Sequence, residues 1–146
     1  MKKNKVLYIF GIFLILTGCS SNNDFKPLES KSITNSYFNE NFSLSITSPS
    51  NHSNYVNLKA SYRGNDYINE ANIRATIICS YVAENFNTGS SRSGTTSIIT
   101  SVIIREGESS GWNSGYINSG GILKSKECNV STVNVSGSYT KWFKHL

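Results

Sequence analysis

Apolar and polar residues alternate one by one over much of this chain, and this alternation limits the possible folds more than any other feature. In the segment 41–47, Phe42, Leu44 and Ile46 alternate with polar residues. The segments 55–62 and 71–82 repeat the pattern, with apolar side chains at every second position. Because side chains two residues apart lie on the same face of a strand, the pattern predicts half-buried β-strands.

Turn-forming residues separate these segments from further ones of the same kind. No amphipathic helix and no internal repeat is evident. The sequence therefore predicts an all-β fold, an antiparallel immunoglobulin-like β-sandwich of six or seven strands in residues 40–146. The later predicted strands are 95–105, 112–118, 127–135 and 138–143, and β-branched residues on both faces of 95–105 favour a central position for that strand.

The first 18 residues differ from the rest of the chain. Three lysines lie within the first five residues, and the apolar run 6–16 follows them. A helix of that length spans about 16 Å, roughly half the hydrocarbon core of a bilayer. A basic start, a short apolar run and small residues after it predict that residues 1–18 are a signal peptide.

The apolar run ends in the tetrapeptide Leu16-Thr17-Gly18-Cys19. It resembles the lipobox of bacterial lipoproteins, which a dedicated signal peptidase cuts before the cysteine. The resemblance implies that Cys19 is the lipidation site, with a diacylglycerol on its thiol and an acyl chain on its amino group. Two or three acyl chains hold a protein stably on a membrane, whereas one does not.

The residue after the lipobox cysteine is Ser20. In Gram-negative lipoproteins, serine at this position favours the outer membrane, while aspartate favours retention in the inner membrane. The resemblance therefore implies an outer-membrane anchor with the body facing the periplasm; the inner membrane and a Gram-positive cell surface are the alternatives. Residues 19–39 are polar and lack a sustained period, which predicts a lipidated N-terminus followed by a flexible tether.

Much of the positive net charge of the chain lies in residues 1–18. The whole chain has 14 Lys and Arg against 9 Asp and Glu, a formal charge of +5. Three of the lysines belong to residues 1–18, so the remainder has 11 against 9, or +2. Basic residues do not cluster with aromatic ones in the body, so the sequence predicts no nucleic-acid partner.

With Cys19 assigned to the lipid, Cys79 and Cys128 remain as an even pair in an exported chain. This predicts one intradomain disulfide, the alternative being two buried thiols. Neither cysteine has a CxxC partner, and His52 and His145 are distant in sequence. We therefore expect no metal site and no cofactor.

The layout of the body resembles the immunoglobulin-like domains of bacterial envelope lipoproteins, such as the FxLYD type. The shared features are an early alternating strand, a polar turn, a long central strand and a Gly-Glu corner before an aromatic strand. They cover residues 42–135. Any immunoglobulin-like sandwich shares this layout, so it transfers no functional residue.

The segment 107–111 matches G-x-S-x-G, the nucleophile elbow of α/β-hydrolases, with Ser109 as the nucleophile. That elbow requires a helix after the serine and a parallel sheet beneath it, whereas residues 112–116 favour a strand. Glu106 and Glu108 form a close acidic pair, but in a turn they are expected to be solvated. The sequence therefore predicts that the protein is not an enzyme, and a small serine hydrolase is the least favoured alternative.

Four aromatic residues are candidates for contact with a partner, because aromatic side chains are enriched at interfaces. Trp112 and Tyr116 share one face of a predicted strand and either meet a partner or fill the core. Tyr55 lies on the polar face of its strand beside Lys59, and Trp142 lies in the C-terminal tail.

These features predict a lipid-anchored envelope protein with a non-catalytic β-sandwich. Its partners would be the membrane, through the lipid, and another envelope protein, with no small-molecule substrate. The alternative is an inhibitor, immunity or superinfection-exclusion lipoprotein. Such a protein would insert a loop, either 87–94 or 106–111, into a toxin or enzyme.

Overall fold

The structure, a computed structural model, describes residues 29–141. Within that range the chain forms seven strands and one short helix. In chain order they are β1 (Ser30–Ser32), α1 (Asn35–Asn41), β2 (Phe42–Thr47), β3 (Tyr55–Tyr62), β4 (Tyr67–Glu84), β5 (Ser91–Ile104), β6 (Ser110–Tyr116) and β7 (Ile122–Thr140).

The described strands form two sheets in which every pairing is antiparallel. The four-stranded sheet has the order β1-β7-β4-β5, and the three-stranded sheet has the order β2-β3-β6. The two sheets enclose one apolar core, to which β3, β4 and β5 contribute fully buried side chains. This confirms the predicted all-β, antiparallel sandwich.

The burial pattern of β4 shows how the alternation builds this core. Every second residue faces the other sheet, while Arg74 and Ser80 face outwards and are exposed. Burying one isoleucine side chain stabilises the fold by about 1.5–3 kcal/mol relative to leaving it exposed. The inward residues of β4 that are almost wholly buried are Ala71, Ile73, Ala75, Ile77 and Cys79.

Cys79 and Cys128 form the predicted disulfide, with sulfur atoms 2.07 Å apart. The two cysteines are direct register partners on β4 and β7, with Cα atoms 4.1 Å apart. The bond therefore links neighbouring strands of one sheet, whereas the conserved disulfide of antibody domains crosses between sheets. It fixes the pairing of two strands that lie far apart in the sequence.

The folded body begins earlier than the sequence suggests, inside the segment assigned to the tether (19–39). β1 pairs with the last residues of β7, and Ile33 and Phe38 are buried. Thr34 caps α1 by accepting a hydrogen bond from the backbone N–H of Tyr37 at 3.2 Å. Sequence periodicity does not reveal α1 because seven residues make only two turns. The body therefore starts near Ser30 and not at residue 40.

β7 is one strand of 19 residues where the sequence predicts two, 127–135 and 138–143. The strand passes through Gly137, whose φ of +128° suits glycine. A Cβ there would lie 2.0 Å from the carbonyl oxygen of Glu70, so only glycine fits. Beyond it, residues 138–140 pair with β1 on one side and β4 on the other.

β5 lies at an edge of the four-stranded sheet and not at its centre as its composition suggests. Ile99, on its outer face, is 60% exposed. β6 follows β5 after a short turn and runs along the free edge of β5. The side-chain amide of Asn113 there donates to the carbonyl of Ser101 at 2.8 Å. This contact holds β6, the edge strand of the three-stranded sheet, directly against β5.

Candidate binding surface

β6 has small residues on its inner face and large aromatic residues on its outer face, the reverse of the usual arrangement. Its core-facing positions include Gly111 and Gly115, which lie against β5. A Cβ at Gly115 would lie 2.3 Å from Cγ2 of Ile98, and one at Gly111 would lie 2.5 Å from the carbonyl oxygen of Ile103. At these two positions the inner face of β6 therefore has room for glycine but not for a larger residue.

The aromatic residues of β6 point the other way, towards solvent. Trp112 is 70% exposed and Tyr116 is 57% exposed. Trp112 and Tyr116 therefore do not fill the core, which was one of the two interpretations of this strand. The other interpretation, contact with a partner, is compatible with their exposure. Large aromatic surfaces left in water contribute little to folding, so their position calls for another explanation.

β3 adds to the same surface. Tyr55, 54% exposed, is the register partner of Tyr116, and their rings pack edge to face with centroids 5.4 Å apart. Lys59 is the register partner of Trp112. We call Tyr55, Lys59, Trp112 and Tyr116 the aromatic face. Three of the four aromatic residues singled out in the sequence therefore meet on one surface, and the fourth, Trp142, lies outside the described residues.

The rest of this sheet surface is small and polar. Ser114 donates to the side-chain oxygen of Asn57 at 2.6 Å between the aromatic residues. Lys59 is the only charged residue at the outward positions of β2, β3 and β6. The surface combines Tyr and Trp with Ser and Asn, which is also the composition of antibody binding sites. The other outward positions are Ser43, Ser45, Thr47, Ser61 and Ser110.

The G-x-S-x-G segment forms a turn and the start of a strand. The backbone N–H of Glu108 donates to the carbonyl of Arg105 at 3.0 Å, and Gly107 has a φ of +75°, as in a type II turn. Ser109 is exposed, and β6 begins immediately after it. A nucleophile elbow would require a helix at that point.

The acidic pair of this turn has internal partners. Glu106 accepts a hydrogen bond from the hydroxyl of Tyr67 at 2.9 Å, and this bond raises the pKa of Tyr67. Glu108 accepts from the backbone N–H of Arg105 at 2.9 Å. Both carboxylates therefore stabilise the turn, and they do not face each other across a cleft.

The two segments considered as inserting loops are shorter than the sequence suggests. β5 begins at Ser91, so only residues 85–90 connect it to β4, and not 87–94. The segment 106–111 consists of the tight turn and the first residues of β6. Each of these two connections thus has six residues or fewer outside the strands.

A titratable cluster that the sequence does not reveal lies at the other end of β3. The hydroxyl of Tyr37 is 2.8 Å from that of Tyr62 and donates to Asp66 at 3.0 Å. Burial raises the pKa of Tyr37, and the hydrogen bonds to Tyr62 and Asp66 raise it further. The ring of Tyr37 stacks on Tyr139, with centroids 3.8 Å apart. The cluster thus ties α1 to both sheets, and its residues come from four separate segments.

The described part of the chain holds neither a metal-binding cluster nor a membrane-spanning helix. Residues 29–141 contain no group of three or more His, Cys, Asp or Glu residues arranged to hold a metal. No helix in that range has the length and apolar character needed to cross a membrane. Cys19 lies outside it. No protein-family model matches the chain, and neither a curated protein nor a solved structure does.

Proposed function

We propose that this protein is a lipid-anchored envelope lipoprotein whose β-sandwich binds another envelope protein through the aromatic face and performs no catalysis. The observation that supports this most is the reversed burial of β6. Gly111 and Gly115 lie on the face towards β5, while Trp112 and Tyr116 lie exposed on the outside. A strand that only stabilised the sandwich would have its aromatic residues on the other face.

The chemistry of the aromatic face suits a protein partner. Tryptophan and tyrosine dominate the energetic centres of protein interfaces, where truncating one commonly costs about 2 kcal/mol or more. The rings of Tyr55 and Tyr116 meet at 67°, so they form an uneven surface and not a flat platform. Lys59 lies opposite Trp112 and is the one cation among the outward positions of this sheet, so a partner with a carboxylate at that point would complement it.

The lipid anchor would strengthen a weak contact. An N-terminal lipid on Cys19 would confine the body to the periplasmic side of the outer membrane, as the lipobox and Ser20 imply. A partner confined near the same membrane then meets the aromatic face at a high effective concentration. A modest interface is therefore sufficient for function.

The experiment is site-specific crosslinking in cells. A photoreactive amino acid replaces Trp112 in one strain and, as a matched control, Ile99 in another, because Ile99 is an exposed apolar residue on the outer face of the opposite sheet. We expect position 112 to capture a discrete partner and position 99 to capture none. Trp112→Ala together with Tyr116→Ala should then weaken binding of the purified partner by at least about tenfold.

Equal capture from both positions, or unchanged binding by the double variant, would show that the aromatic face is not the interface. The anchor is tested separately with Cys19→Ala, which should leave an unprocessed or soluble form. Normal processing and palmitate labelling of that variant would refute the lipobox interpretation. The identity of the captured protein also separates a resident envelope subunit from a foreign toxin or enzyme.

A further inference from the structure

A cleft of about 390 Å³ opens at the end of the sandwich opposite to β1. It lies where the β2–β3 connection (48–54), the β4–β5 connection (85–90) and the β6–β7 connection (117–121) come together. Tyr116 belongs both to this cleft and to the aromatic face. The residues that line it are His52, Asn54, Phe86, Tyr116, Asn118, Gly120, Gly121, Ile122 and Leu123.

Aromatic rings form part of the wall of the cleft. Phe86 is 73% exposed, although it is wholly apolar, and Tyr116 is more than half exposed. Neither ring contributes to the buried core of the described residues. The cleft therefore offers apolar ring surface to a ligand.

The polar side chains that line the cleft are two amides, an imidazole and a phenol, and several have open hydrogen-bonding capacity. Nδ1 of His52 is 3.2 Å from the carbonyl oxygen of Leu123; because a carbonyl only accepts, this nitrogen carries the proton in the neutral ring and Nε2 is left as an acceptor. Asn54 donates to the carbonyl of Ile117 at 2.8 Å, which fixes its amide. Asn118 is exposed, and its amide has no partner within residues 29–141.

The β4–β5 connection is fixed by its own hydrogen bonds. The side-chain oxygen of Asn85 accepts from the backbone N–H groups of Asn87 and Thr88 at 2.8 and 3.2 Å. The hydroxyl of Thr88 is 2.7 Å from that of Ser90. These bonds hold the segment that carries Phe86 in one shape before any ligand arrives.

Two cationic side chains hold the β2–β3 and β6–β7 connections by hydrogen bonds to their backbone carbonyls. Arg92 donates to the carbonyl of Ser119, and Lys126 donates to the carbonyls of Ser50 and Ser53. Burial lowers the pKa of Lys126, but its carbonyl partners remain acceptors for the ammonium. The cleft is thus preformed on three sides.

Glycine lets the β6–β7 connection pass close to the end of β4. Gly120 has a φ of +61°, and a Cβ at Gly121 would lie 2.3 Å from the carbonyl oxygen of Glu84. The close passage of this connection beside the end of β4 therefore depends on glycine.

We propose that this cleft binds a neutral saccharide unit, with the sugar ring against Phe86 and its hydroxyls on Asn118, Asn54 and His52. No Asp, Glu, Lys or Arg lines the cleft, and the guanidinium of Arg92 beside Gly120 is engaged by the carbonyl of Ser119, so an ionic ligand would meet no charged side chain in the lining. A purely apolar side chain would bury the amide of Asn118 and Nε2 of His52 without partners, at a cost of about 1–3 kcal/mol each. A sugar presents C–H groups on its ring face and hydroxyls around its edge, which matches both features.

This proposal does not depend on a protein partner, so it is tested on the full chain alone. The protein in deuterated detergent is studied by saturation-transfer difference NMR with cellotriose, maltotriose and tri-N-acetylchitotriose, each up to about 10 mM because a single-unit contact is expected to be weak. We expect at least one of them to receive saturation. Phe86→Ala and Asn118→Ala should each weaken its binding about tenfold, whereas Ile99→Ala should not change it.

Several outcomes would overturn the proposal. The first is the absence of saturation transfer to all three sugars. The second is binding that neither Phe86→Ala nor Asn118→Ala weakens while both variants keep the thermal midpoint of the parent. A third is binding of the uncharged blocked peptide Ala-Phe-Ala in place of the sugars, which would make the cleft a peptide site.

Discussion

Replacing Gly115 with alanine tests whether close packing on β5 is the reason that β6 directs its aromatic residues outwards. The added Cβ would lie 2.3 Å from Cγ2 of Ile98, whereas ordinary contacts begin at 3.4 Å. The shortfall is about 1 Å, and Cγ2 is attached directly to the Cβ of Ile98, so only a change of χ1 or a shift of β6 relieves it. Overpacking of this kind costs typically 1–3 kcal/mol, and we expect about 2 kcal/mol for Gly115→Ala. For a body of this size that lowers the thermal midpoint by about 8 °C.

A double-mutant cycle with Ile98→Ala isolates the contact. Ile98→Ala removes the obstructing methyl group and, since Ile98 is buried, should itself cost about 3 kcal/mol. In that background Gly115→Ala should cost less than about 0.5 kcal/mol, so the coupling energy is about 1.5 kcal/mol. Urea unfolding followed by circular dichroism measures all four proteins, and Ser114→Ala, on the outer face of the same strand, is the control. An equal cost of Gly115→Ala in both backgrounds would refute the packing explanation.

Two further predictions concern stability. The Cys79–Cys128 disulfide closes a loop with a sequence separation of 49, and reducing it should lower the free energy of unfolding by about 4 kcal/mol. Urea unfolding with and without reductant measures this loss. A loss below about 1 kcal/mol would contradict the chain-entropy estimate. The raised pKa of Tyr37 stabilises the fold fully below the unfolded-state value near 10 and less as the pH rises above it. Between pH 9 and 11, the free energy of unfolding should therefore fall more steeply with pH for the parent than for Tyr37→Phe. Equal slopes for the two proteins would contradict this.

The sequence predicts the sheets well because alternation is a local property. β2 and β3 begin and end within a residue of their predicted limits, and β4 contains its predicted segment 71–82. The disulfide is predictable because only two cysteines remain once Cys19 is set aside. α1 is not, since it has only seven residues and only one of them, Phe38, is buried, which is too few to show a helical period. The order of the strands also depends on contacts between distant segments.

Alternation has a second limit, which β6 illustrates. It tells which side chains share a face but not which face is turned inwards. For β6 both choices were reasonable, because aromatic residues fill cores and glycine permits close approach. The choice is made by Ile98 and the backbone of β5, which occupy the space beneath Gly111 and Gly115. A single strand therefore could not reveal the aromatic face, and only the packing of its neighbour does.

The lengths of the strands place the two proposed sites at different distances from the end of the body that contains Ser30. The body begins at Ser30, beside Thr140 and at the same end as Tyr67, where β4 starts. β4 has 18 residues and spans about 55 Å to Glu84, next to the cleft. In the proposed lipoprotein the chain thus enters the body at the end opposite to the cleft, with Trp112 between the two ends. Of the two proposed sites, the cleft is therefore the one farther from the end at which the chain enters the body.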